Sequence, residues 1–315
     1  LRLALLIGLA IVTVALLAGA ALLYTPDKPR AALEAEYAGP PSAFLQVAGL
    51  RLHVRDTGPR EAPAVILLHG FGASLQTWED WSNDLQADHR VIRLDLPGFG
   101  LTGADPGSNY TDAHALKLLV ALMDQLGLAR ASIVGHSMGG RIAWTFAAQH
   151  PERIDKLVLV APDGFASFGR TYGETQRVPP MLRLLPYVLP GFLLRASLRP
   201  AYGNPDALTD ALYRRYRDML LAPGVRRAIV DLTAQQVLVP PEPLLRRIQA
   251  PTLLLWGAQD AMIPASNAAD YLRVIPDARL HEFPGIGHLP QEEAPAASVA
   301  VVRAFLDQPI PDSRQ

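Results

Sequence analysis

One serine in this chain stands where a serine can act as a nucleophile. Gly135-His136-Ser137-Met138-Gly139 follows the apolar run Ala131-Ser132-Ile133-Val134 and precedes Gly140–Ala148, whose apolar residues recur at helical spacing. A G-x-S-x-G stretch at a strand-to-helix junction makes a turn so tight that the serine backbone is strained, and its glycines remove side chains that would collide with strand and helix. The hydroxyl is then lifted above the sheet. The helix start beneath it offers unpaired N–H groups and a positive dipole end to an anion forming there. A plain turn before an amphipathic helix is the competing reading, and the other polar residues decide against it.

A serine hydroxyl needs a neighbouring base, and histidine titrates in the right range. His288 lies in Phe283-Pro284-Gly285-Ile286-Gly287-His288, a glycine-rich loop directly after a short strand pattern. Of the other histidines, His69 opens a glycine loop and reads as its brace. His136 reads as pointing away from the site, and His53, His89, His114, His150 and His281 fall in strands, in helices or at helix ends. An acid must hold the imidazole tautomer. Asp260, in Trp256-Gly257-Ala258-Gln259-Asp260, is the first choice and Asp163 the rival. Rigid backbone donors suit the developing oxyanion; the N–H of Met138 and that of Phe71, in His69-Gly70-Phe71-Gly72, are the expected pair.

The elements that must position these residues alternate. Phe44–Val47 and Leu50–Asp56 read as a hairpin; Val65–Leu68, Val91–Asp95, Lys156–Val160, Thr252–Trp256 and Arg279–Phe283 read as buried strands. Helical spacing covers Thr111–Leu126, Ala265–Val274 and Glu293–Phe305, with room for a helix over Trp78–Leu85. Such alternation implies a mostly parallel sheet with helices on both faces, whose ligand site lies beyond the carboxyl ends of the strands. Alternation stops over residues 165–247, which read as an inserted helical cap, helical over Asp206–Leu221 among other stretches, between core segments 43–164 and 248–309. Tyr172, Met181, Leu184, Leu185, Tyr187, Phe192 and Leu194 there would line an acyl pocket or, more simply, form the cap's own core. Arg170, Arg177, Arg183 and Arg195 read as solvated charge.

Of 315 residues half are apolar, 29 are basic and 30 acidic, for a net charge of −1. Nothing in that balance suggests nucleic acid as a partner. No cysteine is present, which removes thiolate catalysis and thiolate metal sites. No cofactor or metal motif appears. Residues 1–24 carry one charge, Arg2, and read as a transmembrane anchor, with a cleavable signal as alternative because Ala18-Gly19-Ala20 resembles a cleavage site. A 23-residue helix would be roughly 35 Å long against a bilayer core of about 30 Å. The domain is then membrane-anchored, or secreted or periplasmic if the leader is removed. Residues 25–42, rich in Pro, read as a linker.

Taken in order, His69-Gly70-Phe71-Gly72, Asp95-Leu96-Pro97-Gly98-Phe99-Gly100, Gly135–Gly139, Gly257–Asp260 and Gly287-His288 resemble the α/β-hydrolase family over roughly Phe44–Leu306. The resemblance implies an eight-stranded sheet with a helical cap and supports the roles given to Ser137, Asp260, His288, Phe71 and Met138. Epoxide hydrolases and haloalkane dehalogenases of that superfamily carry aspartate where Ser137 stands, so their chemistry is not expected. Carboxylesterases and monoacylglycerol-lipase-like enzymes are the closer look-alikes, which makes hydrolysis of small, medium-chain or lipid-like esters the first expectation. Carbon–carbon hydrolases of meta-ring-fission products come second; they commonly have Asn where this chain has His136. A membrane-tethered binding protein without activity is a remote third, since no triad member is missing. Oligomeric state has no signature here.

Overall fold

The computed structural model describes residues 2–165, 172–175 and 177–310, without the side chains of residues 2–4, 15–17 and 20. Eight strands form one sheet: β1 (Ser42–Val47), β2 (Leu50–Thr57), β3 (Ala64–Leu68), β4 (Arg90–Leu94), β5 (Ala131–His136), β6 (Ile154–Val160), β7 (Thr252–Gly257) and β8 (Ala278–Phe283). Their spatial order is β1-β2-β4-β3-β5-β6-β7-β8. The pairs β1/β2 and β2/β4 are antiparallel and all others parallel. The β1–β2 turn places Ala48 at φ 48° and Gly49 at φ 87°, the positive values a two-residue hairpin turn requires.

Strands β3, β4, β5 and β7 are buried along their whole length, as expected of strands covered on both faces. Their side chains feed two cores alternately. Val65, Leu67, Val134, Val158 and Leu255 meet Trp78, Trp81, Val302 and Phe305, from the segment around α3 (Glu79–Leu85) and from α12 (Pro295–Leu306). Ile66, Leu68, Ile133, Leu157 and Leu254 meet the opposite layer, where α4 (Asp112–Gln125) and α5 (Met138–Gln149) supply Leu119, Leu122, Ile142 and Phe146. Burying one such aliphatic side chain stabilises the fold by about 2 kcal/mol. Thr111 caps α4 by accepting the His114 N–H.

Between β6 and β7 the chain leaves the sheet. Helices α6 (Gly191–Leu198), α7 (Asp210–Leu220), α8 (Val225–Gln235) and α9 (Glu242–Leu245) occupy this insertion. After β7 come α10 (Ala268–Val274), α11 (Pro290–Glu293) and α12. The helix expected over 293–305 is found as α12, which opens two residues later at Pro295, a residue suited to a first helical position because it has no N–H to satisfy.

The amino-terminal region departs from its reading in two ways. Residues 25–42 are not a bare linker: they carry α2 (Arg30–Tyr37), with Leu33 buried. Arg226 donates to the Thr25 carbonyl (2.6 Å) and to Asp27 (2.7 Å), Arg51 to Glu34 (2.8 Å), and the Tyr37 hydroxyl to Asp218 (3.0 Å). Those partners lie up to 201 residues away, beyond the reach of local pattern. Helix α1 covers Arg2–Leu23, but among the described residues no helix is long and apolar enough to cross a membrane. The anchor expected over 1–24 therefore gains no support.

Candidate active site

Strand β5 delivers Ser137 directly into α5 with φ 52° and ψ −117°, a strained conformation for a residue with a Cβ. Neighbouring backbone holds it there. The Ser137 N–H donates to the Val160 carbonyl (3.0 Å), and the Ser137 carbonyl accepts from Arg141 (3.1 Å) and Asp163 (3.0 Å). The glycines are compulsory: a Cβ on Gly139 would lie 2.4 Å from the Leu68 carbonyl oxygen, and one on Gly135 would lie 2.3 Å from that of Gly139.

The loop after β8 brings His288 to Asp260, with Nδ1 and Oδ2 2.7 Å apart. Asp260 also accepts the Met262 and Ile263 N–H groups, at 2.8 and 2.9 Å, so its carboxylate is oriented before histidine arrives. A carboxylate against Nδ1 puts the proton on that nitrogen and leaves Nε2 as the basic one. Ser137, His288, Phe71 and Met138 line one cavity of about 290 Å³. A hydroxyl, an imidazole and two backbone segments at its wall can support acyl transfer.

The Phe71 loop is braced by His69, which donates through Nδ1 to the Gly70 carbonyl (2.8 Å) and accepts the Leu96 N–H at Nε2 (3.0 Å). Complete burial lowers its pKa, so His69 is neutral at pH 7 and keeps both contacts. His136 requires a correction. Its ring does not point away; Nε2 donates to the His288 carbonyl (2.9 Å), and the two rings are 4.6 Å apart. Burial, then the neighbouring His288, lowers its pKa well below the ordinary value, so it too stays neutral. This contact joins residues 152 positions apart, and nothing in the local pattern announces it.

Asp163 lines the same cavity but faces Arg141, with Oδ2 3.4 Å from Nε, and Gln236, at 3.5 Å. Asp260 is the acid hydrogen-bonded to His288 Nδ1. The cap residues named from sequence do not reach this cavity. Met181, Leu184, Tyr187 and Phe192 are exposed, and Leu194 is buried in the larger core. Phe165, Thr233, Gln236, Met262 and Ile263 line it instead. Thr233 in the last turn of α8 and Gln236 just beyond it differ in no local way from the other polar residues of that segment, so the sequence carried no signal for them. Arg170 lies outside the described residues; Arg177, Arg183 and Arg195 do not line the cavity. A second cavity, about 350 Å³, adjoins through the shared Met138 and Gln236 and holds Tyr110, Ile142, Arg141 and Leu232. Among the described residues one His/Asp group has ligand atoms within mutual reach: Asp88, His89 and Asp307, beside the start of β4 at the opposite end of the sheet, where Asp88 already pairs with Arg303.

With that geometry in place the chain can be assigned: residues 63–295 match the α/β hydrolase fold model, and the protein belongs to the α/β-hydrolase family. Within the family it is similar to the 2-hydroxy-6-oxo-6-phenylhexa-2,4-dienoate hydrolase of Burkholderia cepacia, 32% identical over 78% of this chain and 88% of the relative. It is similar in structure to a meta-cleavage product hydrolase from Pseudomonas fluorescens IP01, with TM-score 0.73 and 26% identity over 84% of this chain and 97% of that one. A membrane phospholipase A described as a bacterial virulence factor matches with TM-score 0.73 and 26% identity, over 97% of both chains. The ring-fission hydrolases among the sequence relatives support the carbon–carbon expectation, held second on sequence, better than the ester expectation held first.

Proposed function

We propose that the protein is a serine hydrolase in which Ser137 attacks a carbonyl carbon, His288 takes the hydroxyl proton, and Asp260 holds and stabilises the imidazolium. The observation that carries this is the placing of strained Ser137 and Asp260-bound His288 at the wall of one cavity. The N–H groups of Phe71 and Met138 are proposed to receive the oxyanion. Collapse of the tetrahedral intermediate returns the proton from His288 to the leaving group, and water then releases the acyl group from Ser137 by the reverse sequence.

On the relatives' names the broken bond is the carbon–carbon bond of a ring-fission dienoate. The 2-hydroxydienoate first ketonises, its enol proton moving to the carbon beside the 6-oxo group. On collapse of the tetrahedral intermediate the electron pair of the broken bond passes to that now saturated carbon and is spread over the conjugated 2-oxo system. His288 returns there the proton it took from Ser137. Ester hydrolysis, with an alkoxide leaving, is the second reading, and two observations favour it. The described residues lining the Ser137 cavity include no Lys or Arg, and their one carboxylate, Asp163, is already opposite Arg141, so among them no free cation lines it to receive a substrate carboxylate. The likeness to the phospholipase also extends over 97% of the chain, against 84% for the ring-fission enzyme. Contact of α1 with lipid is a separate proposal, supported by the exposure of Leu5, Leu6, Leu9 and Ile11; liposome flotation with and without residues 1–24 tests it.

A panel of nitrophenyl esters of rising chain length beside a ring-fission dienoate, run with fluorophosphonate labelling, separates the readings. Turnover of the dienoate alone removes the ester reading, and turnover of esters alone removes the other. Equal labelling of Ser137→Ala and the natural protein defeats the serine mechanism.

A further inference from the structure

The loop that carries His288 is gripped from both sides by backbone. On one side the end of β7 approaches so closely that a Cβ on Gly257 would sit 2.0 Å from the Gly287 carbonyl oxygen. On the other side lies a strap of the cap, Ala201-Tyr202-Gly203-Asn204, where a Cβ on Gly203 would sit 2.5 Å from the Gly285 oxygen and 2.8 Å from the Gly287 nitrogen. The His288 N–H donates to the Ala201 carbonyl at 2.7 Å. Thus the peptide of the histidine itself is bonded to the cap.

Two adjacent carboxylates fasten this layer. Glu293 accepts the Gly203 N–H (2.9 Å), the Asn204 N–H (3.0 Å) and the Gly287 N–H (3.3 Å), spanning strap and histidine loop with one side chain. Glu292, almost wholly buried, accepts from the Tyr202 hydroxyl (2.7 Å), Tyr216 (3.1 Å) and Thr77 (2.6 Å) and pairs with Arg215 of the cap. Burial and the nearby carboxylate push both phenols well above their ordinary pKa, so they remain donors. Charge-assisted bonds of this kind are about twice as strong as neutral ones.

We infer that Glu293 and the cap strap Ala201–Asn204 are a positioning device for His288: the imidazole is aligned with Ser137 only while the strap is seated on its loop. The inference rests on the reading of His288 as the base. Seating of the cap is thereby coupled to the proton transfer, in addition to any part the cap plays in holding substrate.

Gly203→Ala wedges strap and loop apart without touching a reacting group, and Glu293→Gln is isosteric but loses the charge and one acceptor oxygen. In the full chain, on whichever substrate the panel identifies, Gly203→Ala and Glu293→Ala should lower kcat about tenfold or more with KM within about threefold, since displacement of about 1 Å suffices for such losses. Fluorophosphonate labelling should slow by the same factor, and Glu293→Gln should recover part of it. Leu194→Ala, a lesion in the apolar cluster that does not contain Ala201 or Tyr202, should leave kcat within about twofold per folded molecule. Natural labelling rates in Gly203→Ala or Glu293→Gln, or losses confined to KM, overturn the inference. A natural protein that does not label overturns the underlying serine reading instead.

Discussion

Two buried histidine–aspartate pairs in this molecule have the same 2.7 Å contact: His288 with Asp260, and His53 with Asp95. The second pair even has its serine, for His53 Nε2 lies 2.9 Å from the Ser42 hydroxyl. As a hydrogen-bonded trio Ser42, His53 and Asp95 look complete, yet they hold strands together. Ser42 sits in edge strand β1, its oxygen accepts the Arg55 Nε–H (2.9 Å), and Asp95 is committed to the N–H groups of Leu75 and Leu101, both at 2.7 Å. Ser137 instead stands at a helix start on a strained turn, and His288 shares a cavity wall with it. What distinguishes the two is that Ser137 and His288 share the wall of a cavity with Phe71 and Met138, since the contacts themselves are alike.

Substitutions can break that contrast. The largest expected difference is between the serines: Ser137→Ala should reduce turnover by about four orders of magnitude or more, and Ser42→Ala by less than about twofold, measured by steady-state kinetics and active-serine labelling. Next come the acids. Asp260→Asn should cost about 10⁴ in kcat with a modest change in unfolding midpoint. Asp95→Asn should keep turnover per folded molecule within about threefold but lose about 3–5 kcal/mol in urea unfolding, because it breaks a fully buried pair. Reversal of either pattern would erase the distinction.

The smallest expected effect is on pH dependence. Burial lowers the pKa of His69 and of His136 from 6.5, so at mildly acidic pH the unfolded chain takes up protons that the folded one refuses. Stability from these two groups is complete above about pH 6.5 and is lost as pH falls below it. Burial pushes Asp95 upward, but His53 and the Leu75 N–H outweigh it and hold the carboxyl below its usual range, which adds a second loss below about pH 4. Thermal midpoints from pH 8 to 3 should show both declines. His136→Asn should flatten the first and leave the second; an unchanged first slope would show that His136 is not its source.

Where the chain alternates strand and helix, much was legible without coordinates. Runs such as Val65–Leu68 and Leu253–Trp256 are apolar on both faces because helices cover both, and that composition is visible in one dimension. The serine motif was readable for a similar reason, since its glycines answer to contacts within five residues and the adjoining β3 end. The cap was a different matter. Gln236 and Thr233 in the cavity, Glu293 on the strap and His136 on the His288 carbonyl each depend on a partner tens to hundreds of residues away, chosen by how helices settle. Helix α2 escaped notice because eight residues with one buried leucine scarcely differ from a polar connector.

The guanidinium of Arg226 has a practical bearing on how the protein can be shortened. Its side chain is 2% exposed, and Asp27 and the Thr25 carbonyl satisfy it from outside the region matching the family model. A version trimmed to begin at residue 43, the natural choice from motif boundaries, would remove both of those partners and leave Arg226 with the Leu185 carbonyl alone among the described acceptors. Cutting instead between Leu23 and Thr25 would discard the apolar helix α1 while sparing the salt link to Asp27.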